Sequence, residues 1–177
     1  MRTTRPVKIA IVALLSMLFY STSQAQRTTS SRADSLKNTR AQSVYFELFG
    51  PGLTFSANYD TRFSQKRDGL GARAGIGFLS AGGTSFLSVP VQVNYLLGKT
   101  DKYFEIGAGA TYTSYTGSGF FSFDNTTTTT QKVLGTMTFG YRYQPIDGGF
   151  NFRASFNPLF DSSTFYPFVG FSFGYTF

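Results

Sequence analysis

The sequence contains no cysteine, no histidine and no tryptophan. Without cysteine, neither a disulfide framework nor a thiolate metal site can form. Without histidine, the commonest general base and the commonest transition-metal ligand are missing. Charge is also scarce, at 14% of the chain against about 25% in a typical soluble domain. Phenylalanine, tyrosine and glycine take up the difference. Together with β-branched residues and no helical periodicity, they predict an all-β protein. A length of 177 residues suits one domain with tails.

The formal net charge of +7 is unevenly spread. Arg2, Arg5 and Lys8 supply +3, and Arg27, Arg32, Lys37 and Arg40 against Asp34 supply another +3. From Ala41 onward nine basic residues face eight acidic ones. The folded part is therefore nearly neutral and has no basic stripe for a phosphate backbone, so no nucleic-acid partner is expected.

The first 25 residues have every element of a secretory signal peptide. Arg2, Arg5 and Lys8 form a positive leader, Ile9 to Tyr20 (IAIVALLSMLFY) an apolar run, and Ser23-Gln24-Ala25 a small-x-small cleavage site. The run is shorter than the roughly 20 apolar residues of a spanning helix. Cleavage is expected after Ala25, and the lack of cysteine there excludes a lipoprotein. Residues 26–42 (QRTTSSRADSLKNTRAQ) have almost no large apolar side chain and read as a flexible periplasmic tail. Residues 43–177 are the expected barrel domain.

Within that domain, strands are predicted at 43–50, 52–63, 70–79, 85–97, 102–115, 133–144, 149–158 and 164–177. Most are close to the length of a tilted membrane-crossing strand. Their alternation is the central signal. In the second strand Leu53, Phe55, Ala57, Tyr59, Thr61 and Phe63 share one face, opposite Thr54, Ser56, Asn58, Asp60 and Arg62. In the fourth, Leu87, Val89, Val91, Val93 and Tyr95 oppose Ser88, Pro90, Gln92 and Asn94. The charges well inside strands are Glu47, Asp60, Arg62, Arg73, Glu105, Arg142 and Arg153, and by parity each falls on a polar face. Tyrosines recur near strand ends, where an interfacial girdle needs an apolar ring with a polar tip.

Alternation alone does not say which face points inward, and a soluble barrel holding an apolar ligand stays open. Two features favour a polar interior. Glycines crowd the charged face (among them Gly71, Gly75, Gly107, Gly140, Gly170 and Gly174), where they make room for long side chains in a narrow lumen but weaken an exposed sheet. The charges on that face are four arginines and three acids, nearly balanced, as a water-poor interior requires. The expected fold is an eight-stranded antiparallel up-and-down transmembrane β-barrel.

The signal peptide, the eight alternating strands and the terminal Gly174-Tyr175-Thr176-Phe177 resemble small outer-membrane barrels of the OmpA/OmpX type. Val91-Gln92-Val93-Asn94-Tyr95-Leu96-Leu97-Gly98, followed by Phe104-Glu105-Ile106-Gly107-Ala108-Gly109, also resembles uncharacterised outer-membrane barrel-domain proteins. The resemblance implies a Gram-negative outer membrane, with its lipids and lipopolysaccharide as surroundings. It also implies barrel-assembly machinery and periplasmic chaperones as partners, and Phe177 as an assembly signal. Outer-membrane enzymes of similar architecture rely on a histidine, which is absent here. A lipid-modifying enzyme with an unrecognised site is the catalytic alternative. No cofactor or metal is expected.

Two candidate sites remain. The seven lumen charges can form a structural plug or line a pore, and an eight-stranded barrel is only wide enough for side chains to fill. The segment 117–131 (GSGFFSFDNTTTTTQ) places Phe120, Phe121 and Phe123 on an outer loop as a possible surface contact.

Overall fold

The computed structural model describes residues 39–81, 83–117, 128–162 and 164–177. The expected signal peptide, the tail up to residue 38 and Phe120, Phe121 and Phe123 lie outside the described residues. Eight strands follow in order: β1 (Gln42–Leu48), β2 (Phe55–Arg62), β3 (Gly69–Ala81), β4 (Thr84–Lys99), β5 (Lys102–Gly117), β6 (Thr128–Tyr143), β7 (Gly149–Phe160) and β8 (Phe165–Thr176). Each pairs antiparallel with its sequence neighbour, and β1 pairs with β8 to close the barrel. The closure is tied at the lower end, where Gln42 and Phe177 exchange backbone hydrogen bonds of 3.1 and 2.9 Å. No sheet edge is left open, which a barrel achieves and an open sheet does not.

Burial alternates residue by residue. Along β4, Ser88, Pro90, Gln92, Asn94 and Leu96 are buried, while Val91, Val93, Tyr95 and Leu97 are exposed. The same holds around the barrel: polar faces turn inward and apolar faces outward. Aromatics line the exterior, with Phe46 stacked on Phe55 at 5.5 Å and Phe152 against Phe173 at 5.4 Å. A barrel carrying an apolar ligand needs the opposite arrangement, an apolar lumen, so the structure removes that alternative.

Most boundaries shift by one or two residues from the sequence expectation, and two strand starts shift further. The second strand was expected from Gly52, with Leu53 on its apolar face and Thr54 opposite. Instead residues 49–54 form a turn, and β2 begins at Phe55. Pro51 cannot donate to a ladder, and Phe49 and Leu53 adopt positive φ of 58° and 67°. The turn is held by Phe49 N–H donating to the Thr54 carbonyl and Leu53 N–H to that of Gly50, both at 2.8 Å. The sixth strand was expected from Val133 but starts at Thr128. Thr129 pairs with Thr116 and Thr130 with Tyr115, because β-branched threonines suit an extended ladder as well as a loop. The long outer connection, expected at Thr116–Lys132, contracts to 118–127.

Glycine makes one close approach that shapes the lumen. Gly174 lies opposite Tyr45 of β1 and Asn151 of β7. A Cβ there would sit 2.1 Å from the Val44 carbonyl oxygen and 2.4 Å from the Tyr45 Cβ. Two of these neighbours are backbone or Cβ atoms that cannot swing aside. Gly174→Ala is expected to cost about 1–3 kcal/mol through overpacking, seen as a lower urea midpoint for unfolding. An unchanged midpoint would mean that β1 and β8 have room to part.

Candidate functional site: the charged lumen

All seven charged residues singled out by parity lie inside the barrel. Asp60, Arg62 and Arg142 are 0% exposed, Glu47 and Glu105 2%, and Arg73 and Arg153 3%. Alternation on each strand aims them inward, and the barrel's closure brings distant strands within reach of one another.

Asp60 of β2 is the hub. Its Oδ1 accepts from Arg62 Nη2 at 2.6 Å and from Arg142 Nη2 at 3.0 Å. Its Oδ2 accepts from Asn94 Nδ2 at 2.7 Å and lies 3.8 Å from Arg153 Nη1. Glu105 of β5 faces the same two distal arginines, 3.6 Å from Arg142 and 3.7 Å from Arg153, and accepts from Asn94 Nδ2 at 2.8 Å. Arg142 and Arg153 are direct cross-strand partners on β6 and β7. Like charges in that position repel, and the two carboxylates set between them offset the repulsion. The cluster ties β2 and β5 to β6 and β7 across the lumen.

A second layer lies above it. Arg73 Nη1 is 3.4 Å from Glu47 Oε1 and 3.2 Å from the Tyr45 hydroxyl. Arg73 Nε donates to Gln92 Oε1 at 2.9 Å, and its Nη2 to Thr138 Oγ1 at 2.9 Å. The Arg153 guanidinium sits over the Tyr45 ring, 3.8 Å from its centroid, a cation–π contact that joins the two layers.

Charge and parity missed Tyr45, which is 3% exposed and points inward. They also missed the network roles of Gln92, Asn94 and Thr138. The signal was present in the sequence: Gln92 and Asn94 share the polar face of β4, and Tyr45 shares that of β1 with Glu47.

Both ends of the lumen are closed. At the upper end the 49–54 turn folds into the mouth, and Gly50, Pro51 and Gly52 are buried. Ser88 Oγ donates to the Gly52 carbonyl and Thr111 Oγ1 to that of Pro51, each at 2.8 Å. Leu134 and Leu159, on inward positions of β6 and β7, are buried at the same end. At the lower end Ala41, Leu96 and Tyr103 are buried, and the 63–68 turn lies across the opening. Ala41 N–H donates to the Lys66 carbonyl at 3.3 Å, and Gln144 Nε2 to that of Arg67 at 3.0 Å. The ionic layers thus lie between an apolar upper lid and a lower turn that closes the other end. Sequence reading missed the upper lid because it sought charge on the inward face, and that lid is built from leucine, proline and glycine. Phe177, the expected assembly signal, is an exposed ring on the outer face.

A closed eight-stranded antiparallel barrel with a polar interior and an aromatic, apolar exterior has the fold of the small outer-membrane barrels. The chain is similar in structure to the N-terminal β-barrel domain of Pseudomonas aeruginosa OprF. The identity is 12% over 80% of this chain and 98% of that one, with a TM-score of 0.59. It also matches Ail, the attachment invasion locus protein of Yersinia pestis. There the identity is 14% over 78% of this chain and 97% of that one, with a TM-score of 0.49. No family model and no curated protein sequence matches the chain.

Proposed function

We propose that this protein is an integral outer-membrane β-barrel with a structural or surface-interaction role and no catalysis, its lumen filled by a polar plug. One observation carries the reading: the charged side chains are buried inside, while large apolar side chains cover the outside. In water that arrangement buries ions and exposes oil. In a bilayer both faces are satisfied, because lipid covers the exterior and the ion pairs neutralise one another. Phe78, Val91 and Val133, at 62%, 54% and 65% exposure, are core-type residues left without a protein partner.

The absence of catalysis rests on access. The lumen carboxylates are fully enclosed, each beside at least one guanidinium, and the mouth above them is occupied by the chain's own turn. A substrate has no route to these groups. Lipid A from a deletion strain should therefore be unchanged by mass spectrometry; an altered acylation or phosphorylation pattern would restore the lipid-modifying reading. In this proposal the surroundings are membrane lipids and lipopolysaccharide. Periplasmic chaperones and the barrel-assembly machinery deliver the chain, with Phe177 as the residue recognised.

The direct test is fractionation. The protein should sediment with the outer membrane and migrate differently on gels with and without heating, as a closed barrel resists unfolding in detergent. Single-channel recordings should show no steady conductance. Recovery from the periplasm without detergent would refute membrane insertion, and a stable, ion-selective current would refute the plug.

A further inference from the structure

The lower end of the barrel carries a second polar feature, separate from the lumen network. Three connections converge there: 63–68 between β2 and β3, 100–101 between β4 and β5, and 144–148 between β6 and β7. Between them lies a pocket of about 260 Å³ whose lining includes Lys66, Arg67, Asp68, Lys99, Thr100 and Tyr103.

Arg67 sets the chemistry of this pocket. It is 6% exposed. Its Nη2 donates to the Pro145 carbonyl at 2.9 Å, but its Nε and Nη1 are buried with no hydrogen-bond partner. Every other buried arginine among the described residues has a carboxylate within 4 Å, whereas Arg67 has none. A buried guanidinium with two idle nitrogens is costly unless an acceptor arrives to meet them. Burial pushes the Arg67 guanidinium below its ordinary range, and Tyr103 and Asp147 only partly offset that. Its position is also fixed from both sides. Gln144 Nε2 holds the Arg67 carbonyl, while Gln144 N–H donates to the Asp101 carbonyl at 2.7 Å, so one residue pins two of the three turns.

A second observation points the same way. Thr100, in the pocket wall, has φ of 71°, a conformation that β-branched residues rarely adopt. Its carbonyl is held by the Tyr103 hydroxyl at 2.8 Å. Strain of this kind collects at binding sites, where surrounding structure enforces it.

The geometry points to a phosphate-binding site that takes the headgroup of a membrane phospholipid, one whose headgroup also bears an ammonium. The phosphate meets the idle Arg67 nitrogens with Lys66 and Lys99 beside them, and Asp68 receives the ammonium. Arginine suits the phosphate because its guanidinium stays charged and carries donors on several sides. The depth is right on the membrane reading proposed above, on which this inference rests. Tyr95, Tyr141 and Tyr175, near the lower ends of their strands, are exposed at 47%, 43% and 51% and mark an interfacial girdle. Lys99 lies about 13 Å further along β4 from Tyr95 at 3.3 Å per residue, at headgroup level.

The test uses the full barrel folded in a phosphate-free non-ionic detergent, with its heat-dependent gel shift confirming the fold. The backbone amide resonances of Thr100 and Gln144, which every variant retains, are followed while short-chain phosphatidylethanolamine, short-chain phosphatidylglycerol or inorganic phosphate is added. Phosphatidylethanolamine should give a saturable shift. Arg67→Gln should weaken binding at least tenfold and Lys99→Gln about threefold. Lys99 is exposed, so its replacement leaves the fold intact should Arg67→Gln disturb the turn. Asp68→Asn should remove the preference for ethanolamine over glycerol. No saturable shift with any probe, or equal affinity in wild type and both cation variants, overturns the site. Binding of inorganic phosphate as tightly as lipid overturns the headgroup assignment. A barrel that keeps its heat-dependent shift but ignores every probe leaves the membrane reading standing. Recovery of the protein without detergent removes that reading whatever Arg67 does.

Discussion

Asp60→Ala is expected to lower the stability of the barrel by about 3–5 kcal/mol, the usual effect of removing one partner from a buried ion pair. Asp60 should lie at the top of that range or above it, because it serves more than one arginine. Arg62 and Arg142 are 2.6 and 3.0 Å from its Oδ1, and Arg153 is 3.8 Å from Oδ2. Alanine leaves the four lumen guanidiniums facing only Glu47 and Glu105, and it removes one of the two acceptors of the Asn94 amide, which keeps only Glu105. Arg142 and Arg153, paired side by side on β6 and β7, then repel with half of their counter-charge gone. Glu47→Ala provides the contrast. Glu47 has one ion pair, to Arg73 at 3.4 Å, and Arg73 keeps Gln92, Thr138 and Tyr45 after its loss. The measurement is reversible urea unfolding in lipid vesicles, comparing midpoints at unchanged slope. A larger loss at Glu47 than at Asp60 would show that Asp60 is not the hub. No loss at either would mean that the lumen is wet enough to solvate the arginines.

The inward set of charges was legible in the sequence because parity is a backbone property. Once Asp60 and Arg62 alternate with Tyr59 and Thr61, the pleat puts them on one face whatever the rest of the fold does. Which face turns inward was harder, and glycine and charge balance together pointed to it: Gly71, Gly75 and Gly174 make sense where a facing side chain needs the space, and four arginines sit with three acids. The pairs themselves were not legible. Asp60 and Arg142 are 82 residues apart, and their contact depends on barrel closure and strand stagger, which no local pattern encodes. The same reason hid the role of Pro51. In sequence, Gly50-Pro51-Gly52 reads as an ordinary tight turn. Only across the closed barrel can Thr111 and Ser88 reach its carbonyls and draw it into the mouth. Arg67 went unremarked because a basic residue in a polar turn looks solvated, and its burial results from three turns meeting.

The substitution that tests the exterior is Val91→Arg. Val91 is at the middle of β4, outward-facing and 54% exposed. Its cross-strand partners are Ala74 and Ala110, so a long side chain meets no steric obstacle there. Any loss of stability therefore reports on the medium around the barrel and not on packing. In a bilayer, arginine near the midplane costs about 2–4 kcal/mol and near the interface about 0–1 kcal/mol. Leu97→Arg, on the same face near the lower end of β4 and 47% exposed, is the matched control. The expected result is a large loss for Val91→Arg and a small one for Leu97→Arg, both measured by unfolding from vesicles. The gradient matters more than either value, because a change in the unfolded state shifts both variants alike. Equal and negligible effects would place this face in water, and the apolar exterior would then need a protein partner to cover it.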